Sequence, residues 1–237
     1  MTTVAILVAG GRGVRAGGNG PKQWQPLAGR RVADWTVDAF ATHPGIDGIV
    51  VVHHPDDLTQ AQGLAHDPVL TPGGATRAAS VQAGLQAARA LAPQYVLIHD
   101  MARPCVSHTI INTCLTGLDS ADGVAPALAV TDALWIGNMD QVTGTTDRTG
   151  LYRAQTPQGF AYDAICAAHA KGPRDAPDDV AVFRAAGGHV TIVPGSEDNL
   201  KITHPPDFAR AERILGTQMN IRVGNGYDVH KFGPGTS

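Results

Sequence analysis

The sequence predicts an α/β domain built on a doubly wound, mostly parallel sheet, and three observations carry that expectation. Short apolar runs of strand length recur at Val4–Val8, Ile49–His53, Val69–Thr71, Tyr95–His99, Gly123–Pro126 and Val190–Val193. Stretches of helical periodicity separate most of them, and strands alternating with helices in this way assemble as parallel pairs joined by crossover helices. The first strand also runs directly into a glycine-rich loop, and sheets of this class hold ligands beyond the carboxyl ends of their strands. A chain of 237 residues has enough interior to bury such a sheet in one sizeable domain.

Residues 7 to 23 read Leu-Val-Ala-Gly-Gly-Arg-Gly-Val-Arg-Ala-Gly-Gly-Asn-Gly-Pro-Lys-Gln. Residues without a Cβ let backbone N–H groups converge on phosphate oxygens, and cations past the turn can neutralise charge that develops on a phosphorus under attack. Arg15 and Lys22 are those cations. Two familiar phosphate loops do not fit. A Walker loop needs Gly-Lys followed by Ser or Thr, but Pro21 precedes Lys22 and Gln23 follows it. A dinucleotide loop, nearly met by Gly11, Gly13 and Ala16, needs a helix to begin at once, which Gly17, Gly18, Gly20 and Pro21 forbid. An ordinary glycine-rich turn remains the plain alternative, and the two cations weigh against it.

The clearest helix runs from about Thr76 to Leu91, with Val81, Leu85 and Ala88 on one face and Thr76 or the preceding glycines available as cap. It follows Gly73-Gly74-Ala75-Thr76-Arg77, a loop whose backbone could approach a base edge closely while Arg77 supports it; a turn feeding a helix is the simpler account. Asp100 closes the run Val96-Leu-Ile-His-Asp, where a carboxylate faces the ligand crevice and can meet magnesium on a nucleotide. Its alternatives are a helix cap or a partner for Arg103. Val130–Ile136 and Gln141–Thr145 look like arms of a hairpin joined through Gly137-Asn138, an excursion from the core between about residues 129 and 155. A two-stranded arm is marginal alone, so it is expected to pack against a second subunit. Beyond it, Arg148, Arg153 and Thr156, with Asp198-Asn-Leu-Lys201 after the last strand, could clamp a second phosphate, although each alone is a common surface charge.

Composition narrows the partners. A net charge of −3 supplies no basic field for nucleic acid or an anionic membrane, so a small-molecule partner is expected. The run Val4–Ala9 is too short for a signal segment and no later stretch is long enough to span a bilayer. Cys105, Cys114 and Cys166 are odd in number and scattered, which fits reduced thiols in a cytoplasm and shows no metal-ligand spacing. His43, His53, His54, His66, His169 and His189 read as structural or surface groups. No Ser–His–Asp or Cys–His spacing is indicated. Phosphoryl transfer to an ionised phosphate needs cations and alignment more than a general base.

Taken together, Ala9-Gly-Gly-Arg-Gly-Val-Arg15, Pro21-Lys-Gln23, Gly73-Gly-Ala-Thr-Arg77 with Ser80, His99-Asp-Met-Ala-Arg-Pro104, Arg148 with Gln155-Thr-Pro-Gln158, and Asp198-Asn-Leu-Lys201 resemble the 2-C-methyl-D-erythritol 4-phosphate cytidylyltransferase family of the non-mevalonate isoprenoid pathway. The resemblance covers residues 1 to about 216. It implies a Rossmann-like sheet of the nucleotide-diphospho-sugar transferase type, a homodimer formed through the arm, and magnesium-dependent reaction of CTP with methylerythritol phosphate. Arg15 and Lys22 would stabilise the transition state at the α-phosphorus. Arg148 and Lys201 would position the methylerythritol phosphate, with Thr156 assisting across the dimer arm. Ala9, Gly10, Gly11, Gly13, Gly73, Gly74, Arg77, Ser80, Asp100 and Arg103 would help form the substrate site. Ala75 and Met101 depart from some relatives, which carry Asp and Ala there.

A second signal lies at the end. Ile221-Arg-Val-Gly-Asn-Gly-Tyr-Asp-Val-His-Lys-Phe232 resembles the opening strand of the 2-C-methyl-D-erythritol 2,4-cyclodiphosphate synthase family, whose Asp-x-His pair binds a divalent metal, expected to be Zn2+. Asp228 and His230 would share one face of a strand, since side chains alternate with period two. The expectation is a two-enzyme fusion whose second domain begins after a boundary between about Leu215 and Asn220, with residues 217–237 as linker and first strand. Its metal site would be incomplete in this chain.

Overall fold

The computed structural model describes residues 2–12, 20–173 and 175–218. Its centre is an eight-stranded sheet. Strand β1 (Thr3–Ala9) lies in the middle, a short β2–β3 hairpin (Pro26–Leu27, Arg30–Arg31) stands apart, and β4 (Gly48–His53), β5 (Val69–Pro72) and β6 (Tyr95–Asp100) extend the sheet. β1 pairs in parallel with both β4 and β6, and β4 with β5. Beyond β6 come β11 (Gln158–Ala161) and β7 (Gly123–Ala129), with β10 (Tyr152–Ala154) and β12 (Thr191–Pro194) also on β7. Ala127 pairs with both Ala154 and Pro194, so the antiparallel β10 and the parallel β12 occupy opposite sides of β7. The sheet is therefore mostly parallel and doubly wound, with β10 and β11 running antiparallel.

Helices cover both faces because the strands alternate. Ala5, Leu7, Ile49, Val51 and Leu97 point to one side and pack with α1 (Val32–Ala41) and α4 (His108–Leu118) through Val37, Phe40, Ile111 and Cys114. Val4, Ile6, Val50, Val52 and Ile98 point to the other, against α3 (Arg77–Ala88), α5 (Tyr162–Lys171) and α6 (Asp179–Ala185). The short α2 (Leu58–Gln62) lies between β4 and β5. A smaller cluster joins Leu27, Val32 and Cys105 to Leu200, Ile202, Ala211 and Leu215, docking the last helix, α7 (Pro205–Gln218), beside the carboxyl end of the sheet. Among the described residues, no helix is long and apolar enough to cross a membrane.

α3 begins where its cap was expected: the Thr76 hydroxyl accepts the N–H of Ala79 at 3.1 Å. Val81, Leu85 and Ala88 form its buried stripe, and its end tightens into a 3-10 turn at Arg89–Leu91. The arm differs in detail. Its strands are β8 (Leu134–Asn138) and β9 (Gln141–Thr146), a separate two-stranded sheet. The turn is at Met139-Asp140, with Met139 at φ +52°, whereas Gly137-Asn138 lie in the strand beside a bulge at Ile136/Gly137. The alternating pattern had to yield to that extra residue. Tyr152–Ala154, expected within the arm, belongs to the central sheet instead.

Gly84 sets how closely α3 meets the sheet. A Cβ there would stand 2.6 Å from Ile6 Cγ2 and 2.8 Å from Val52 Cγ2. Both methyls belong to central strands, so the helix would have to lift. Gly84→Ala is expected to lower stability by about 1–3 kcal/mol despite the helix propensity of alanine. Denaturant unfolding should show a lower midpoint at unchanged slope; an unchanged midpoint would mean the contact is not limiting.

Candidate active site

A cleft of about 380 Å³ opens at the carboxyl ends of β1 and β6. Three segments build it: the end of β1 with Gly10 and Gly11, the loop Gly74–Arg77 at the start of α3, and Asp100–Ala102 after β6. Lys22 and Lys201 close it from segments far apart in sequence. Of the predicted residues, Ala9, Gly10, Gly11, Lys22, Gly74, Arg77, Ser80, Asp100 and Lys201 therefore meet in one place. Gly13 and Arg15, and Asp228 and His230, lie outside the described residues.

The first wall is fixed by a residue to which the sequence assigned no role. Gln23, buried, donates through Nε2 to the carbonyls of Ala9 at 2.7 Å and Gly11 at 3.1 Å. It thereby ties the Pro21-Lys22-Gln23 turn to the glycine loop and fixes where Lys22 leaves the chain. Lys22 is half-buried, and its Nζ donates to the carbonyl of Ile202. The second wall turns on Ser80, whose Oγ accepts the N–H of Gly74 at 3.1 Å and donates to the carbonyl of Thr76 at 3.0 Å. A Cβ on Gly74 would lie 2.5 Å from that of Ala79, so the loop can hug the helix only as glycine. Gly73 is set behind the cleft, its N–H given to the carbonyl of His53 at 2.7 Å.

Asp100 is the electrostatic centre. Lys201 Nζ lies 2.8 Å from Oδ2 and Arg103 Nε 3.6 Å from the same atom. Burial alone would raise its pKa, but Lys201, Arg103 and Arg77 outweigh burial and hold the carboxyl well below the usual range. Lys201 reaches it because Leu200 and Ile202 on either side are buried against α7, which turns the intervening side chain the other way.

Several expectations require correction. Arg103 does not contact the cleft: it is buried, and Nη1 donates to the carbonyl of Asn199 at 2.7 Å, stitching that segment in place. Thr156 is buried too and does not reach across an arm. Its Oγ accepts the N–H of Asp100 at 3.1 Å and lies 2.9 Å from His99 Nδ1. Asn199 Nδ2 donates to the carbonyl of Thr156 at 2.8 Å, completing a lock between the two segments. These groups hold Asp100 and Lys201 from behind; sequence placed them near the site but could not tell contact from support. The proposed phosphate clamp is not assembled within one chain. Arg148, on the arm, donates to the carbonyl of Thr131, and Arg153 pairs with Glu197.

The profile of the 2-C-methyl-D-erythritol 4-phosphate cytidylyltransferase family matches residues 3–217. The chain belongs to this family. It is 56% identical over 219 residues to the 2-C-methyl-D-erythritol 4-phosphate cytidylyltransferase of Cereibacter sphaeroides strain KD131, covering 91% of this chain and 97% of that one. The Bifunctional enzyme IspD/IspF of Ruegeria pomeroyi is 61% identical over 236 residues, 99% of this chain, which spans only 62% of that relative's length. The crystal structure of 2-C-methyl-D-erythritol 4-phosphate cytidylyltransferase from Thermus thermophilus superposes with a TM-score of 0.75 at 32% identity, covering 89% of this chain and 98% of that chain. Family membership fits a nucleotide-diphospho-sugar transferase fold, with the site at the carboxyl edge of the sheet.

His99 gives this site a pH signature. Burial is the main cause that pushes its pKa down to about 3. Between that value and the ordinary His value of about 6.5, the unfolded chain holds a proton that the folded chain refuses, so stability falls as pH falls. Between pH 7 and 4.5 the parent should lose about 2 kcal/mol more unfolding free energy than His99→Gln. Equal losses would show that His99 titrates normally.

Proposed function

We propose that residues 1–216 form a cytidylyltransferase domain that transfers CMP from CTP to 2-C-methyl-D-erythritol 4-phosphate, in non-mevalonate isoprenoid biosynthesis. The observation that carries this is the meeting of Lys22, Lys201 and Asp100 at one cleft between two glycine-bearing loops. A phosphate oxygen of the polyol phosphate attacks the α-phosphorus of CTP; that P–O bond forms as the bond to the β-phosphate breaks, and pyrophosphate leaves. The attacking oxygen is already ionised, so no general base is needed. Lys22, together with Arg15, neutralises charge gathering on the α-phosphoryl group, and the Gly74–Ser80 loop seats the base.

Magnesium suits the donors present. Asp100 offers one hard carboxylate kept ionised by its neighbours, and no group of three or more His, Cys, Asp or Glu among the described residues makes an all-protein cage. Bound with the triphosphate, magnesium would supply charge neutralisation; Asp100 would hold it at the cleft.

The arm supports a homodimer. Trp135, Ile136, Met139 and Val142 are exposed on it, Met139 completely, and apolar groups gathered this way mark a protein interface. In that dimer Arg148 serves the polyol phosphate of the neighbouring subunit. For the longer protein we propose a second, cyclodiphosphate synthase activity, with Asp228 and His230 among the ligands of a divalent metal, Zn2+.

Pyrophosphate release should require CTP, methylerythritol phosphate and magnesium together, with ATP, GTP and ribitol phosphate much poorer. Equal turnover with ribitol phosphate would reassign the substrate. Lys22→Ala and Arg148→Ala proteins should each lose about a hundredfold or more in kcat. Mixing them, with subunit exchange verified, should restore activity in heterodimers that keep one intact site; no recovery would refute the crossed arrangement.

A further inference from the structure

Behind the second wall of the cleft sits a charged group that neither capping nor surface solvation accounts for. Asp179 is completely buried at the start of α6. It is not the helix cap: that is Asp178, whose Oδ1 accepts the N–H of Ala181 at 2.9 Å. The Asp179 carboxylate instead joins two other helices. Oδ2 accepts from Arg77 Nη2 at 2.7 Å, at the first residue of α3, and Oδ1 lies 3.0 Å from His169 Nε2, near the end of α5. The backbone N–H groups of Asp179 and Val180 are both held by Gln158 Oε1, at 3.1 and 3.2 Å, so the carboxylate cannot drift.

A buried ion pair is a poor stabiliser, because desolvating both charges offsets most of their attraction. What this one does supply is direction. Arg77 lines the cleft and also acts on Asp100, so its guanidinium stands in the field of carboxylates on two sides. Held by Asp179, the Arg77 guanidinium stands as a post for the Gly73–Arg77 loop, whose glycines tolerate no side chain against Ser80 and Ala79.

We propose that Asp179, outside the cleft, is a positioning residue: through Arg77 it sets the Gly73–Arg77 loop for the base of CTP and thereby governs nucleotide affinity, a role that rests on the cytidylyltransferase reading. His169 steadies the same carboxylate from the other side. The consequence is selective, since the polyol phosphate is held from other segments.

Asp179→Asn tests this. Asparagine keeps the shape and an oxygen for His169 but loses the charge that holds Arg77. Calorimetric titration with CTP and magnesium should show affinity reduced about tenfold or more, while KM for methylerythritol phosphate stays within about twofold. Arg77→Ala should give a similar loss, and the double variant no more than Arg77→Ala alone, because both changes remove one interaction. Slowly exchanging guanidinium N–H resonances of Arg77, present in the parent, should vanish in Asp179→Asn. Unchanged CTP affinity, equal weakening for both substrates, or additive losses would each overturn the proposal. If Asp179→Asn does not fold, Arg77→Gln, altered at a partly exposed side chain, carries the same CTP-selective expectation. Failure of the parent to bind CTP would strike the activity itself, whereas failure of the positioning role is read only in the variants.

Discussion

The ion pair between Asp100 and Lys201 joins the two halves of the site and conditions most of what surrounds it. A carboxylate at the end of a central strand is largely withdrawn from water, which by itself raises its pKa. Lys201 at 2.8 Å, with Arg103 and Arg77 further off, keeps it charged. Those cations need anchoring in turn. Arg103 is bound to the Asn199 carbonyl, Asn199 to that of Thr156, and the Thr156 hydroxyl to the Asp100 N–H. The circuit closes on the residue where it started, so segments around 100, 156 and 199 share one geometry. Disturbing any member moves a charge as well as a contact.

Around that circuit the fold divides labour by strand alternation. Consecutive residues of β1 feed opposite helical layers as far as Val8 and Ala9, and beyond them the chain opens into the glycine loop. Packing fixes the frame, and polar groups act only at its rim. The few glycines that matter do so through proximity: Gly84 lets α3 lie close on the sheet, and Gly74 lets the loop lie close on α3.

Much of this was legible beforehand. Apolar runs located six strands of the sheet to within a few residues, and Thr76 marked the start of α3, because period and cap chemistry are local. Lys22, Asp100 and Lys201 meet at one cleft, and of these Asp100 carried a local mark, a charge at the end of a strand. What escaped was whatever depends on partners distant in sequence. The resemblance placed Arg103 and Thr156 at the substrate, yet both are buried and bond to groups behind Asp100 and Lys201. Gln23 stood in a motif without a role and Asp179 had no local mark, since a glutamine bonding two carbonyls and an aspartate bridging two helices are visible only in three dimensions. The arm's turn was displaced by a bulge that no alternation rule encodes.

The docking of α7 has a consequence for the order in which the site comes into being. Lys201 is held in place by Leu200 and Ile202, which bury against Ala211 and Leu215 of that helix. Asp100 is synthesised about a hundred residues earlier. A chain emerging from the ribosome can form β1, β4, β5 and β6 and bury their side chains while its carboxylate still lacks its principal counter-charge. Only when α7 is released and docks does the cleft acquire the lysine nearest Asp100. The central strands can thus be translated well before the site is electrostatically complete, and the segment that finishes it is α7, made after every strand of the sheet.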